Sequence, residues 1–107
     1  DVKGKPALIV DDEIGTGGTV VATAEALKLH GATEIYCAVT HPVLAGNACS
    51  ILEESVVQEI VVTDTMPVPN EKRIAKITVL SMASMLGEAI HRIHSGLSVG
   101  AMFDPHD

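Results

Sequence analysis

At 107 residues the chain has the length of one domain with a sizeable hydrophobic core. Fourteen acids against seven lysines and arginines give a formal charge of −7, which argues against a nucleic-acid surface. Apolar residues make up 47% of the chain but aromatics only 2%, so Val, Ile, Leu, Ala and Met must build the core. Buried parallel strands usually read this way. No apolar run approaches the roughly 20 residues of a bilayer span, and no signal peptide is visible, so the expected location is cytoplasmic with no membrane partner. Cys37 and Cys49 lack metal-ligand spacing and read as buried free thiols in a reducing compartment. A first residue of Asp rather than Met reads as a fragment, a processed product or a trimmed chain.

Strand and helix signals then alternate. Ala7 to Val10 is a short buried strand, followed by the paired acids Asp11 and Asp12. Thr19 to His30 carries Val20, Ala24 and Leu27 at helical spacing, with Gly31 as its stop. Ile35 to Val39 is a second strand. Pro42 fits the start of a second helix whose face holds Leu44, Ala48, Ile51 and Leu52. Ile60 to Thr63 is a third strand, and the prolines of "DTMPVPNEK" forbid regular structure after it. Ile77 to Leu80 is a fourth strand. Ser81 then caps a last helix in which Met82, Met85, Leu86, Ala89, Ile90 and Ile93 recur every three or four residues, up to Gly96. Strands separated by helices imply right-handed crossovers and an α/β fold with a mainly parallel sheet flanked by helices. No internal repeat or second domain is visible.

Ligands of open parallel sheets bind beyond the carboxyl ends of the strands, where the turn from Asp11 to Thr19 lies. Gly15, Gly17 and Gly18 allow unusual backbone torsions, so that successive N–H groups can converge on one point. The following helix adds unpaired N–H groups and the positive end of its dipole. Thr16 and Thr19 add hydroxyls, and together these groups suit a phosphate monoester. Asp11 and Asp12 would repel that phosphate at contact distance. One sugar length away they can accept hydrogen bonds from ribose hydroxyls or lie near magnesium. The competing structural account is a Gly-rich connector in which an acid caps the helix; both acids with two threonines outweigh it.

Other phosphate and signalling motifs fit badly. A P-loop needs Gly-Lys-Ser/Thr, and no lysine occurs between Lys5 and Lys28. The dinucleotide fingerprint fails because Gly15-x-Gly17 is followed by Val20 where a glycine is required. "LIVDDE" matches the first strand of a receiver domain, with Asp64 as a candidate for its phosphoacceptor. The receiver's lysine followed by proline is missing, however, and Thr16 to Thr19 would go unexplained.

The segment "VDDEIGTGGT" resembles the phosphoribosyl pyrophosphate motif of type I phosphoribosyltransferases and ribose-phosphate pyrophosphokinases. "THPVLAGNA", "VVTDTMP" and "EAIHRIHSGLSVGAMF" are similar, in order, to the C-terminal half of the pyrophosphokinases. The resemblance runs to about Phe103 and leaves residues 104–107 unassigned. It implies a single type I phosphoribosyltransferase-like domain over residues 1–107, the C-terminal half of a longer enzyme. It further implies transfer of diphosphate from ATP to the C1 hydroxyl of ribose 5-phosphate, giving phosphoribosyl pyrophosphate and AMP, with Mg2+ as cofactor. By position, Asp11 and Asp12 would hold the ribose hydroxyls, and Gly15 together with Thr16, Gly17, Gly18 and Thr19 would hold the 5-phosphate. No catalytic residue is assigned to this chain. The basic groups that clamp a triphosphate would come from the N-terminal half, so the 107 residues alone are expected to be inactive. A homo-oligomer is expected for the full-length protein.

One position departs from the pattern: many members carry aspartate where this chain has Gly15. That weakens the alternative of a phosphoribosyltransferase using phosphoribosyl pyrophosphate. A non-catalytic regulatory homologue is the other alternative. Many members also have a regulatory phosphate site at a Ser-x-Ser step near the C-terminus; the matching positions here are Ser98 and Gly100. His41 reads as loop packing or the border of a substrate site, His91 and His94 as a solvated face, and Met82 and Met85 as core or subunit contacts.

Overall fold

The computed structural model describes residues 1–104. Of the unassigned residues 104–107, all but Asp104 lie outside that range. The elements run β1 (Ala7–Ile14), α1 (Gly18–Leu29), β2 (Ile35–Pro42), α2 (Ala48–Glu54), β3 (Val57–Thr63), a 3-10 turn (Asn70–Lys72), β4 (Ile77–Leu80), α3 (Ala83–Ser95) and a 3-10 turn (Gly100–Phe103). The four strands pair in the order β1-β2-β3-β4, all parallel, as the alternation of signals required.

The core lies on one face of the sheet. Ile35, Cys37, Val39, Val57, Ile60 and Val62 meet Val20 and Ala24 of α1 and Ala48 and Leu52 of α2, all nearly or fully inaccessible to solvent. Burial pushes the Cys37 thiol up to about 11, with the charge of Asp11 adding to the effect, so it behaves as a small apolar side chain. Cys49 is only half-buried, and its thiol donates to the Lys72 carbonyl at 3.5 Å.

Several boundaries differ from the sequence reading for physical reasons. Pro42 ends β2 instead of opening a helix, because its neighbours stay in register with β1. Leu44 is buried in the turn that follows, and α2 starts only at Ala48. The stretch after β3 closes one 3-10 turn despite its prolines, with Lys72 N–H donating to the Pro69 carbonyl at 2.8 Å. Gly31 and Gly96 do terminate α1 and α3, with φ of +93° and +72°. Ser81 stands one residue before the N-cap position, yet its hydroxyl accepts from Ala83 N–H at 3.2 Å. Lys76 Nζ donates to the carbonyls of Leu52 and Ser55, satisfying the C-terminal end of α2.

The opposite sheet face is open. Val10, Ala38, Val61 and Thr78 form one row across it, with Leu8 and Leu80 to either side. Leu8, Val10 and Leu80 are 61%, 73% and 53% exposed. Helix α3 packs on no other element to any substantial extent among the described residues, and its apolar stripe faces solvent. Met85 is therefore not a core residue, and Met82 is half-buried. The radius of gyration is 16.5 Å, against about 13 Å for a compact chain of this length. Because Ile90 and Ile93 are 67% and 71% exposed, lysine at both should leave the urea-unfolding free energy of the chain within about 0.5 kcal/mol. A larger loss would mean that α3 carries part of the core.

Candidate functional site

β1 does not stop at the acids. Its pairing with β2 continues through Asp11↔Val39 and Glu13↔His41 to Ile14↔Pro42. Asp11 and Asp12 thus lie on a strand end, and the turn itself shrinks to Gly15, Thr16 and Gly17 before α1 opens at Gly18. Of the three glycines, only Gly17 needs its freedom: φ is +87°, whereas Gly15 and Gly18 lie outside the left-handed region. Gly17 is buried over α2, and a Cβ placed on it would stand 3.4 Å from Leu52 Cγ.

The backbone donors of this turn are free. Among the described residues, the N–H groups of Gly15, Thr16 and Gly17 meet no protein acceptor. Val21 N–H donates to the Gly17 carbonyl at 3.0 Å, which leaves the N–H groups of Gly18, Thr19 and Val20 without an intrahelical acceptor. All of these residues except Gly18 border a cavity of about 290 Å³ that also includes Asp11, Asp12 and Glu13. Neither aspartate caps the helix: the N-cap is Gly17, with no side-chain bond to it.

Both carboxylates are exposed, and that of Asp11 is held by the backbone of its neighbour. Asp12 N–H donates to Asp11 Oδ1 at 2.7 Å. The Asp12 carboxyl is held below its ordinary value, first by a hydrogen bond with the Asp11 side chain; backbone N–H groups and His41 add to this against desolvation. At neutral pH Asp12 is therefore an ionised acceptor. His41 stands nearby with Nδ1 2.9 Å from Thr65 Oγ1, and the hydroxyls of Thr63 and Thr65 both donate to the Thr40 carbonyl, at 2.7 and 3.0 Å. His41 is thus a strand-end side chain held against the turn that follows β3.

Cations are placed elsewhere. Lys28 donates to Thr33 O, Arg73 to Val68 O, Lys76 to the end of α2, and Arg92 to Glu88 and Ser98 O. Lys3 and Lys5 precede the start of β1, at the far end of the strand. The cavity therefore offers dipoles and hydroxyls to an anion, with acids beside them. A small dianion bearing hydroxyl groups matches this set; a triphosphate lacks its counter-charge here. No described group of three or more His, Cys, Asp or Glu side chains could hold a metal by itself. Asp11 and Asp12 remain hard oxygen donors of the kind that hold magnesium together with substrate phosphates and water.

Residues 1–104 match the family described as phosphoribosyl synthetase-associated domain. The chain belongs to that family. Its relatives include ribose-phosphate pyrophosphokinases from Caldanaerobacter subterraneus subsp. tengcongensis, 56% identical over 103 residues, and from Shewanella oneidensis, 47% identical over 104 residues. Each alignment covers 96% of this chain and 33% of the relative, so the chain spans about a third of the proteins it matches. The crystal structure of phosphoribosylpyrophosphate synthetase from Mycobacterium smegmatis superposes with a TM-score of 0.87 at 38% identity, covering 90% of this chain and 32% of that one.

Within this phosphoribosyl synthetase-associated domain, Asp11, Asp12, Gly15, Thr16, Gly17 and Thr19 lie around one cavity, while Gly18, the first residue of α1, does not line it. Ser98 does not join them. It follows α3, where its carbonyl accepts from Arg92 and its hydroxyl accepts from Ala101 N–H at 3.3 Å. His91 and His94 are exposed on α3. No helix among the described residues is long and apolar enough to cross a membrane. Sequence reasoning missed Leu44 and Leu52, the buried residues behind and beneath the turn, because in sequence they look like ordinary helix-face leucines.

Proposed function

We propose that this chain is the ribose 5-phosphate-binding part of a ribose-phosphate pyrophosphokinase. The observation that carries the reading is the set of free N–H groups of Gly15, Thr16, Gly17, Thr19 and Val20 around one cavity with two carboxylates at its edge. The amides and the hydroxyls of Thr16 and Thr19 hold the 5-phosphate. Asp11 and Asp12 accept hydrogen bonds from the ribose hydroxyls, which fixes the sugar by both ends and leaves C1 presented to a second substrate.

The C1 hydroxyl oxygen then forms a bond to the β-phosphorus of ATP. The bond from that phosphorus to the oxygen bridging the α-phosphate breaks, AMP leaves, and the hydroxyl loses its proton. Such transfer depends on positioning and on neutralising charge that builds on phosphate oxygens. No lysine or arginine occurs between Pro6 and Leu27. Counter-charge for the diphosphoryl group therefore comes from beyond this cavity, and Mg2+, when bound, would supply part of it there. The complete protein is cytoplasmic and homo-oligomeric in this reading, and these 107 residues alone have no synthetase activity.

The test is the double substitution Asp11→Asn with Asp12→Asn in the complete polypeptide that carries this chain. Calorimetry should show ribose 5-phosphate binding weakened about tenfold to a hundredfold, from the loss of charge-assisted hydrogen bonds. ATP binding should change little. Equal loss of both ligands would assign the acids to metal or to folding instead.

A further inference from the structure

The turn after β2 is strained where nothing in its own chemistry calls for it. Leu44 is the one non-glycine residue with positive φ among the described residues, at +50°, and its side chain is 1% exposed. L side chains rarely adopt this conformation, and it persists only where surrounding structure over-determines it. What the turn does is reach back to the phosphate loop. Leu44 N–H donates to the Ile14 carbonyl and Ala45 N–H to the Gly15 carbonyl, both at 2.9 Å.

These two bonds orient two peptide planes. Among the described residues all peptide bonds are trans, so each carbonyl points opposite to the N–H of the same plane. With the carbonyls of Ile14 and Gly15 drawn toward the Leu44 turn, the N–H groups of Gly15 and Thr16 point away from it. No residue from 43 to 46 borders the cavity, whereas Gly15 and Thr16 do. The turn thus lies behind the loop, and the two donors face the open side. Two successive N–H groups aimed the same way form an anion-binding concavity.

We propose that Leu44 is a positioning residue: its strained turn is a strap that holds the Gly15 and Thr16 amides toward the bound phosphate. This rests on the reading that the loop takes a sugar phosphate. Anchoring explains both odd features together. The buried leucyl side chain plugs the turn into the core, and the left-handed backbone lets two consecutive N–H groups reach two consecutive carbonyls. Pro42, also buried, fixes the approach, and Val43 N–H closes back on the His41 carbonyl at 3.1 Å.

The experiment is a titration of the complete protein, selectively labelled with 15N-glycine and 15N-threonine, with ribose 5-phosphate. Gly15 and Thr16 amide protons are expected to move downfield along with those of Gly18 and Thr19. In Leu44→Gly the responses of Gly18 and Thr19 should persist while those of Gly15 and Thr16 fall by more than about half, with Kd raised about tenfold. Leu44→Met, which keeps the buried volume, should restore the wild-type pattern. Wild-type spectra in which Gly18 and Thr19 respond but Gly15 and Thr16 stay still would overturn the strap and leave the phosphate reading standing. Wild-type shifts and affinity in Leu44→Gly would do the same. Silence from all four amides would remove the phosphate reading and the strap with it. The wild-type titration decides the matter even if Leu44→Gly does not fold.

Discussion

Gly17→Val should abolish ribose 5-phosphate binding in the complete protein, raising Kd at least about a hundredfold, and should destabilise the fold by about 2–4 kcal/mol. Two effects add. Position 17 sits at φ +87°, where a β-branched side chain is a steric outlier, and its Cβ would already touch Leu52 Cγ at 3.4 Å before the two methyls are placed. Relief requires rotating the peptide planes on either side, and those planes carry the amides that border the cavity. Gly15→Ala is the control. Its φ is not left-handed, and a Cβ there would meet nothing within 4 Å. Alanine should therefore leave stability unchanged or raise it by about 0.4–1 kcal/mol through the unfolded chain. Urea unfolding and calorimetry on the pair read both effects. Equal stability for the two variants would show that the backbone at Gly17 is not held as described.

The difference between these neighbouring glycines marks what a sequence can and cannot disclose here. The run of Gly and Thr between a strand and a helix is legible in the sequence as the turn that opens α1. Which of them bears the left-handed torsion was not readable, since that depends on how α1 descends onto α2. The acids show the same divide. Their place beside the turn was legible, but charge made β1 look finished at Val10. In the fold the ladder to β2 carries the strand on to Ile14, with Glu13 opposite His41 and Ile14 opposite Pro42. Ladder hydrogen bonds engage backbone, and exposed carboxylates at a strand end cost the pairing nothing.

Pro42 and Leu44 mislead for a related reason. A proline followed by spaced leucines has the local look of a helix start, and the long-range bonds from Leu44 and Ala45 to Ile14 and Gly15 override it. Helix α3 shows the limit of periodicity itself. A recurring apolar stripe establishes that one face is apolar, as it is, but not that a surface of the same chain lies against it. Leu86, Ile90 and Ile93 remain exposed, as do Val10 and Leu80 on the uncovered sheet face. Parallel sheets ordinarily have both faces covered, and this chain spans only about a third of its relatives.

Leu52→Ala should cost about 2–5 kcal/mol, the largest loss expected from any single truncation near the site. Leu52 is 0% exposed and sits in α2, a helix of only seven residues with no side-chain N-cap. So short an element has little intrinsic stability and depends on its buried face. Truncation removes the main anchor of that face, while Ala48, also 0% exposed, is too small to replace it. The cavity would open directly beneath Gly17, because Leu52 Cγ and Cδ2 are the nearest side-chain atoms to that position. Binding should therefore weaken together with stability, and conditions that stabilise the fold should recover only part of it. Leu29→Ala separates this from a general loss of leucine: at 87% exposure, it should shift the urea midpoint by less than about 0.5 kcal/mol and leave ribose 5-phosphate affinity unchanged. If Leu52→Ala lowered stability by the expected amount with affinity intact in the folded fraction, the floor of the Gly15–Gly17 turn would have to be Ala48 and the α1 backbone alone.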